Sequence, residues 1–204
     1  MKHLILASGS PRRRELMSQV GLDFTVVTSD ADENIKEMEP EDYVRELSSI
    51  KAQSVLEQYA DKDDSVIVIG ADTIVYHKGE ILTKPKDEED AFRILKSLEG
   101  QIHQVYTGVT VILCQEAGSY AGSTFSEKTD VEVYDMEDEE IAAYVSTGEP
   151  LDKAGAYGIQ GSFAAYIRGI HGDYTNVVGL PLGRLCHEIK KLLEEQENDQ
   201  AGRN

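Results

Sequence analysis

Three consecutive arginines at the start of a helix-like segment constrain this chain more than any other feature. The apolar residues 4–7 predict a buried strand, and a glycine-containing turn follows it. Ser10 then suits the N-cap of a helix and Pro11 its first position, so the arginines at 12–14 fall in the first turn. Cations are unfavourable at this positive end of the macrodipole unless an anion binds there. The pattern therefore predicts a strand–turn–helix unit that binds phosphate, with solvated surface arginines as the alternative.

The overall charge makes the basic cluster more informative. The chain has 204 residues and a formal net charge of −18, with 40% hydrophobic and 28% charged residues. These proportions are typical of a globular domain, and the negative field excludes nucleic acid and anionic membrane as bulk partners. A basic site in so acidic a protein indicates a pocket for a small anion.

Other common site types are not indicated. The two cysteines form no CxxC pair, the five histidines have no ligand spacing, and neither a P-loop nor a Rossmann glycine signature occurs. No apolar stretch approaches the length of a membrane span. We therefore expect a cytoplasmic protein with no membrane partner.

Apolar and amphipathic segments alternate over much of the chain, which predicts an α/β fold with a mixed, twisted sheet and flanking helices. We expect one domain over residues 1–193 and a polar, frayed tail over residues 194–204, and residues 101–135 are typical of a long hairpin. Predicted strands are 3–8, 24–28, 66–70, 104–114, 129–134 and 164–167. Predicted helices are 11–20, 40–59, 86–98, 138–145 and 182–195.

Asp72 is the second candidate for the functional site, after the arginine cluster. It follows the predicted strand 66–70 within a Gly-Ala-Asp-Thr sequence, and the end of a buried strand is where α/β folds place catalytic groups. Its carboxylate suits a divalent cation or a proton from an attacking water, while a turn that only caps the strand is equally open. Lys84 precedes a proline that keeps it extended, so its amine is expected to reach the cleft beside Asp72. Lys51, in the predicted helix 40–59, is a similar but weaker candidate.

Two loops complete the candidate site. Residues 148–161 contain four glycines, and Gln160 within them has both donors and acceptors that suit the edge of a base. A structural loop without ligand contact is the alternative. Glu33 lies in an acidic loop that could supply a metal ligand or form only an acidic surface. An oxygen-ligand site of this kind fits Mg²⁺ or Mn²⁺.

In their order along the chain, these segments resemble the Maf family of nucleoside triphosphate pyrophosphatases. The resemblance extends from residue 3 to about residue 190, and the combination is specific although each piece alone is weak. The segments that carry it are 8–16 (SGSPRRREL), 70–73 (GADT), 84–85 (KP), 148–161 and 172–182.

The resemblance implies two lobes around a deep cleft, as in inosine triphosphate pyrophosphatases, and a homodimer. It implies hydrolysis of a nucleoside triphosphate to the monophosphate and pyrophosphate with a divalent cation. Asp72 would accept a proton from the attacking water, and Glu33 would help Asp72 to place the metal. Phosphate contacts are implied for Ser8, Arg13, Lys51 and Lys84. The pattern associated with dTTP and UTP is matched by Arg12, Thr73 and Gln160.

Two alternatives stay open at this stage. A nucleotide-binding regulator of cell division or septum formation would bind a triphosphate without needing to cleave it. A purine-selective pyrophosphatase of the inosine triphosphate type would have a comparable cleft, although Gln160 and Thr73 argue against it.

Overall fold

The computed structural model describes residues 2–36, 38–59, 66–114 and 120–201. The strands are β1 (His3–Ala7), β2 (Phe24–Val26), β3 (Val66–His77), β4 (Glu80–Leu82), β5 (Ile102–Cys114), β6 (Tyr120–Val133) and β7 (Ile167–His171). The helices are α1 (Pro11–Gln19), α2 (Pro40–Glu57), α3 (Glu88–Leu98), α4 (Asp138–Val145), α5 (Tyr174–Val178) and α6 (Leu182–Ala201). None of these helices has the length and apolar character that crossing a bilayer requires.

The seven strands form one sheet in the order β2-β1-β3-β5-β6-β7, with β4 paired to β3 outside this path. The β1–β2 and β1–β3 pairs are parallel and the others are antiparallel, so the predicted mixed sheet is confirmed. Strands β5 and β6 form the predicted long hairpin, in register from the Ile102–Glu132 pair to the Cys114–Tyr120 pair.

Strand β3 is longer than the sequence predicts. It continues for 12 residues, so Asp72 and Thr73 lie in the middle of the strand and not after its end. The prediction that the strand ends at Gly70 was wrong because β5 pairs with residues 67–76 without interruption. On its other edge, β3 pairs with β1 up to Gly70 and with β4 from Val75 onward. Within the described ranges, residues 71–74 therefore have a strand partner on one side only, and this open edge positions the site.

Helix α2 covers one face of the sheet, and glycines let it approach closely. A Cβ atom at Gly70 would lie 2.7 Å from the backbone nitrogen of Ala52 in α2, and one at Gly108 would lie 2.7 Å from that of Arg45. Side chains at either position would push α2 away from the sheet. The space beside Gly70 is therefore filled by the helix and is not open to a ligand.

Two hydrophobic clusters lie on the opposite face and form the two lobes. In the first, Leu16 and Met17 of α1 and Leu185 of α6 pack against the β1 and β3 side chains that face them. In the second, α3, α4 and the turns after α4 pack against the far half of β3, β5 and β6. The cleft opens between these lobes, as the predicted fold class requires.

The remaining differences from the sequence predictions are local. Residues 162–166 form a 3-10 turn and β7 starts only at Ile167, because Phe163 is fully buried against the rings of Tyr144, Tyr157 and Tyr166. Helix α6 continues to Ala201 and so includes most of the residues predicted as a frayed tail.

Candidate active site

A cavity of about 660 Å³ lies at the open edge of β3, between the two lobes. Its wall includes the start of α1, one side of α2, the centre of β3 and the turns that follow α4. Every site residue predicted from the sequence lines this one cavity: Ser8, Arg12, Arg13, Glu33, Lys51, Asp72, Thr73, Lys84 and Gln160. Residues up to 152 positions apart in the chain thus share one wall, and this convergence defines the candidate site.

The three arginines of α1 have three different environments. Arg13 is buried, Arg12 is half-buried beside the cavity, and Arg14 is exposed. Arg12 lies 3.9 Å from the Asp152 carboxylate on the other side of the cleft. The structure therefore places Arg12 and Arg13 at the cavity, and it places Arg14 in solvent.

Arg13 is fixed by four hydrogen bonds to the protein. Its Nε donates to the Gly179 carbonyl at 2.7 Å, and Nη1 donates to Ser8 Oγ and to the Ala71 carbonyl, both at 2.9 Å. Nη2 donates to Thr73 Oγ1 at 2.9 Å. Since a guanidinium carries five N–H groups, one remains for a ligand. Burial lowers the pKa of Arg13 and the nearby Asp72 charge opposes this, so the group stays cationic and contributes its charge to the cavity.

The N-terminus of α1 offers backbone donors as well. Ser10 occupies the N-cap position as predicted, but its hydroxyl caps no backbone N–H. Pro11 at the first helical position has no N–H to satisfy. The first free N–H groups of α1 therefore add to the positive end of the helix dipole at the cavity wall.

Lys51 joins the two carboxylates of the site. Its Nζ donates to Asp72 Oδ1 at 2.6 Å and lies 3.1 Å from Glu33 Oε2. The side chains of Lys51 and Asp72 are each 14% exposed, whereas Glu33 is 51% exposed. Asp72 lines the cavity, and its second oxygen has no hydrogen-bond partner among the described residues. The close approach of α2 at Gly70 brings Lys51 this near to Asp72.

Thr73 belongs to a directed chain of hydrogen bonds. Its hydroxyl accepts from Arg13 and lies 2.9 Å from Thr107 Oγ1, which in turn donates to the Asn176 carbonyl at 3.1 Å. Because the Thr107 hydrogen goes to Asn176, Thr73 donates its single hydrogen to Thr107, and the Gly179 carbonyl at 3.4 Å competes for that same hydrogen. Thr73 therefore holds Arg13 in place, which the sequence did not reveal.

Several lining residues were missed as site candidates. Lys153 contacts the cavity, and its Nζ donates at 2.6 Å both to Asp152 and to the Glu149 carbonyl. Tyr157 also lines the cavity and lies 2.8 Å from the buried His103 ring. The lysine and acid in residues 148–161 were a signal for Lys153, whereas no local pattern links Tyr157 to His103.

The cavity is cationic relative to the protein around it. Of the residues that line it, five carry a positive charge and three a negative one, in a chain of net charge −18. Lys84 lies at the exposed rim. A cleft with fixed cations concentrates anionic ligands, and buried guanidinium and ammonium groups bind phosphate oxygens well.

The described residues contain no group of three or more His, Cys, Asp or Glu side chains that could hold a metal ion. Asp72 and Glu33 are nevertheless brought together by Lys51. Mg²⁺ binds through one or two carboxylates, water and substrate phosphates and does not need a complete protein cage. The donor set therefore fits such an ion once a polyphosphate supplies further oxygens.

The chain is similar in sequence to known proteins over most of its length. A family model described as Maf-like protein matches residues 3–192. A protein of Agathobacter rectalis named dTTP/UTP pyrophosphatase is 51% identical, over 94% of this chain and 98% of the relative. Proteins with the same name from Lachnoclostridium phytofermentans and Thermoanaerobacter sp. are 49% and 47% identical, over 94% and 92% of this chain and 96% and 95% of theirs. Among solved structures, the Staphylococcus aureus Ham1 protein has a TM-score of 0.40 at 14% identity, over 66% of this chain and 73% of that one.

Proposed function

Because this chain belongs to the Maf family, we propose that it is a pyrophosphatase that hydrolyses dTTP and UTP to the nucleoside monophosphate and pyrophosphate. Relatives that are 45–51% identical over most of its length carry that activity in their names. The observation that supports the proposal most is the meeting of Lys51, Asp72 and Glu33 beside Arg13 in one cationic cavity.

The proposed chemistry uses Asp72 as the general base. Its unpartnered oxygen accepts a proton from a water that attacks the phosphorus. The other oxygen is bonded to Lys51 in the structure and would become available to the metal when the ammonium moves to the phosphates. General-base assistance contributes about 10²–10⁴-fold to such reactions. Lys51, Lys84 and the helix α1 N-terminus stabilise the charge that develops on the phosphate oxygens and on the leaving pyrophosphate.

A divalent cation, Mg²⁺ or Mn²⁺, is part of the proposal. Asp72 and Glu33 would hold it together with phosphate oxygens of the substrate. Such an ion supplies charge neutralisation at the polyphosphate when it is bound. Lys51 already occupies the position between the two carboxylates, so its ammonium would be repositioned toward the phosphates.

We assign recognition of the nucleobase of the substrate to Arg12 and Gln160. Both side chains reach the cavity, and Gln160 is exposed and able to offer its amide to a pyrimidine edge. Thr73 contributes indirectly, since its hydroxyl holds Arg13. Selectivity for the base would arise because a polar side chain held in one position loses its hydrogen bond when a base without the matching group binds.

The test is a panel of nucleoside triphosphates assayed for pyrophosphate release with Mg²⁺ or Mn²⁺. We expect dTTP and UTP to be cleaved with the highest kcat/KM, and we expect EDTA to abolish the reaction. Preference for inosine triphosphate, or tight binding of dTTP without pyrophosphate release, would contradict the proposal. We also propose a cytoplasmic homodimer on the basis of the family resemblance, which sedimentation and cell fractionation test directly.

A further inference from the structure

The turn that carries Gln160 is held at both ends by two residues outside it. The turn spans residues 158–161 and is closed by the Gly161 N–H, which donates to the Gly158 carbonyl at 3.1 Å. Gln160 stands exposed at its tip, while Gly158 is buried. Since the turn has so few bonds of its own, the direction of Gln160 depends on what anchors its ends.

Glu149 and Tyr144 provide these anchors. The Glu149 Oε2 accepts from the Ser162 N–H at 3.1 Å and from Ser162 Oγ at 2.8 Å, directly after the turn. Its Oε1 accepts from the Tyr144 hydroxyl at 3.0 Å, and that hydroxyl accepts from the Gly158 N–H at 3.3 Å. One carboxylate and one phenol thus link the beginning of the turn to its end.

Glycine at position 161 is required by this arrangement. A Cβ atom there would overlap the Glu149 carboxylate. The backbone of Gly161, with φ −93° and ψ −159°, is extended and open to any residue, so the constraint is steric. The three atoms nearest to such a Cβ all belong to the Glu149 carboxylate. The absence of a side chain lets the carboxylate lie directly against the turn.

The ionisation states of Glu149 and Tyr144 strengthen their hydrogen bonds to the turn. Burial raises the pKa of Glu149, but the hydrogen bonds from Ser162 and Tyr144 outweigh this effect and hold the pKa of Glu149 below its ordinary value. Burial and the Glu149 contact raise the pKa of Tyr144. The carboxylate therefore remains an acceptor and the phenol a donor around neutral pH, which gives charge-assisted bonds to the turn.

We propose that Glu149 and Tyr144 are positioning residues that set the selectivity for the base by fixing the Gln160 turn. This inference rests on the proposed function, in which Gln160 contacts the pyrimidine. Neither residue touches the reacting phosphates in this arrangement, so their effect should fall on recognition of the base and leave the chemical step intact.

The experiment compares Glu149→Gln and Tyr144→Phe with wild type and with Glu139→Gln, a control at an exposed residue of α4. For each protein, kcat and KM are measured with UTP and CTP by pyrophosphate release. We expect the UTP/CTP ratio of kcat/KM to fall by about three- to tenfold, the range that one hydrogen bond contributes. The change should appear in KM for UTP, with kcat within about twofold of wild type. Ser162→Ala, which removes one bond to Glu149, gives the same readout if Glu149→Gln does not fold.

The same substitution made in the Gln160→Ala variant separates an effect on the position of Gln160 from a general loss of stability. In Gln160→Ala, the further change Glu149→Gln should alter the UTP/CTP ratio by less than about twofold, because the residue it positions is gone. Equal losses for both nucleotides, or additive effects in the Gln160→Ala background, would overturn the inference while leaving the proposed function standing. Absence of pyrophosphate release from UTP by the wild-type protein would instead refute the proposed function, and the inference with it.

Discussion

Lowering the pH is expected to destabilise this protein through His103, a histidine buried beneath the cavity wall. Its ring is 0% exposed and packs edge-on against Tyr157, whose hydroxyl lies 2.8 Å from Nε2. Among the described residues, Nδ1 has no hydrogen-bond partner. A second proton would therefore be buried without an acceptor, and this desolvation, together with the charge of His77, lowers the pKa of His103 from 6.5 to about 3.

The size of the effect follows from proton linkage. Below pH 6.5 the unfolded chain takes up a proton at His103 that the folded protein excludes until about pH 3. The stability contribution is fully present above pH 6.5 and is lost at about 1.4 kcal/mol per pH unit as the pH falls. Between pH 8 and pH 5 the loss amounts to about 2 kcal/mol, a large fraction of the stability of an ordinary domain.

Urea unfolding of wild type and His103→Phe at several pH values from 8 to 5 tests this. The variant leaves the Tyr157 hydroxyl unpaired, so its absolute stability is lower, but it has no histidine to protonate at this position. The difference in unfolding free energy between the two proteins should shrink by about 2 kcal/mol between pH 8 and pH 5. His77, whose pKa burial also lowers, is present in both proteins and cancels. A constant difference across this range would refute the reasoning.

Three further substitutions test the packing and hydrogen bonds that build the site. Gly70→Ala should lower the unfolding free energy by about 1–3 kcal/mol and also lower kcat, because its Cβ displaces α2; unchanged urea curves would contradict this. Thr73→Val should cost about 1–3 kcal/mol by removing an acceptor of the buried Arg13, whereas Thr73→Ser should stay near wild type; equal effects of the two would count against the hydrogen bond. Gly161→Ala should lower the melting temperature, and adding Glu149→Ala should restore part of it; a further drop in the double variant would disprove the proposed overlap.

The residues of the site could be predicted from the sequence because their chemistry is local. Arg13 follows a strand and a helix-start signal, and Gln160 lies in a glycine-rich loop. Each residue can therefore be recognised as a candidate from its neighbours in the sequence. Their convergence in one cavity confirms what the resemblance implied about the cleft. The individual roles remain proposals that the variants above address.

The sequence could not predict features that depend on a neighbour in space. Glycine and aspartate are rare in strands, so Gly70 and Asp72 favour the prediction of a turn. In the structure, pairing with β5 continues strand β3 through both residues. Equally, nothing in the run of arginines shows that Arg13 turns inward to four acceptors while Arg14 faces solvent. The length of β3 and the orientation of Arg13 are determined by contacts with residues that are distant in the sequence.

The most direct test of the account is the activity of Asp72→Asn beside wild type and Asp42→Asn, a control at an exposed carboxylate of α2 that also forms an ion pair. Pyrophosphate release from dTTP and binding of dTTP are measured for all three. We predict that Asp72→Asn folds and still binds dTTP while kcat falls by at least about 100-fold, and that Asp42→Asn behaves as wild type. Turnover of dTTP by Asp72→Asn at the wild-type rate would contradict the assignment of Asp72 as the base.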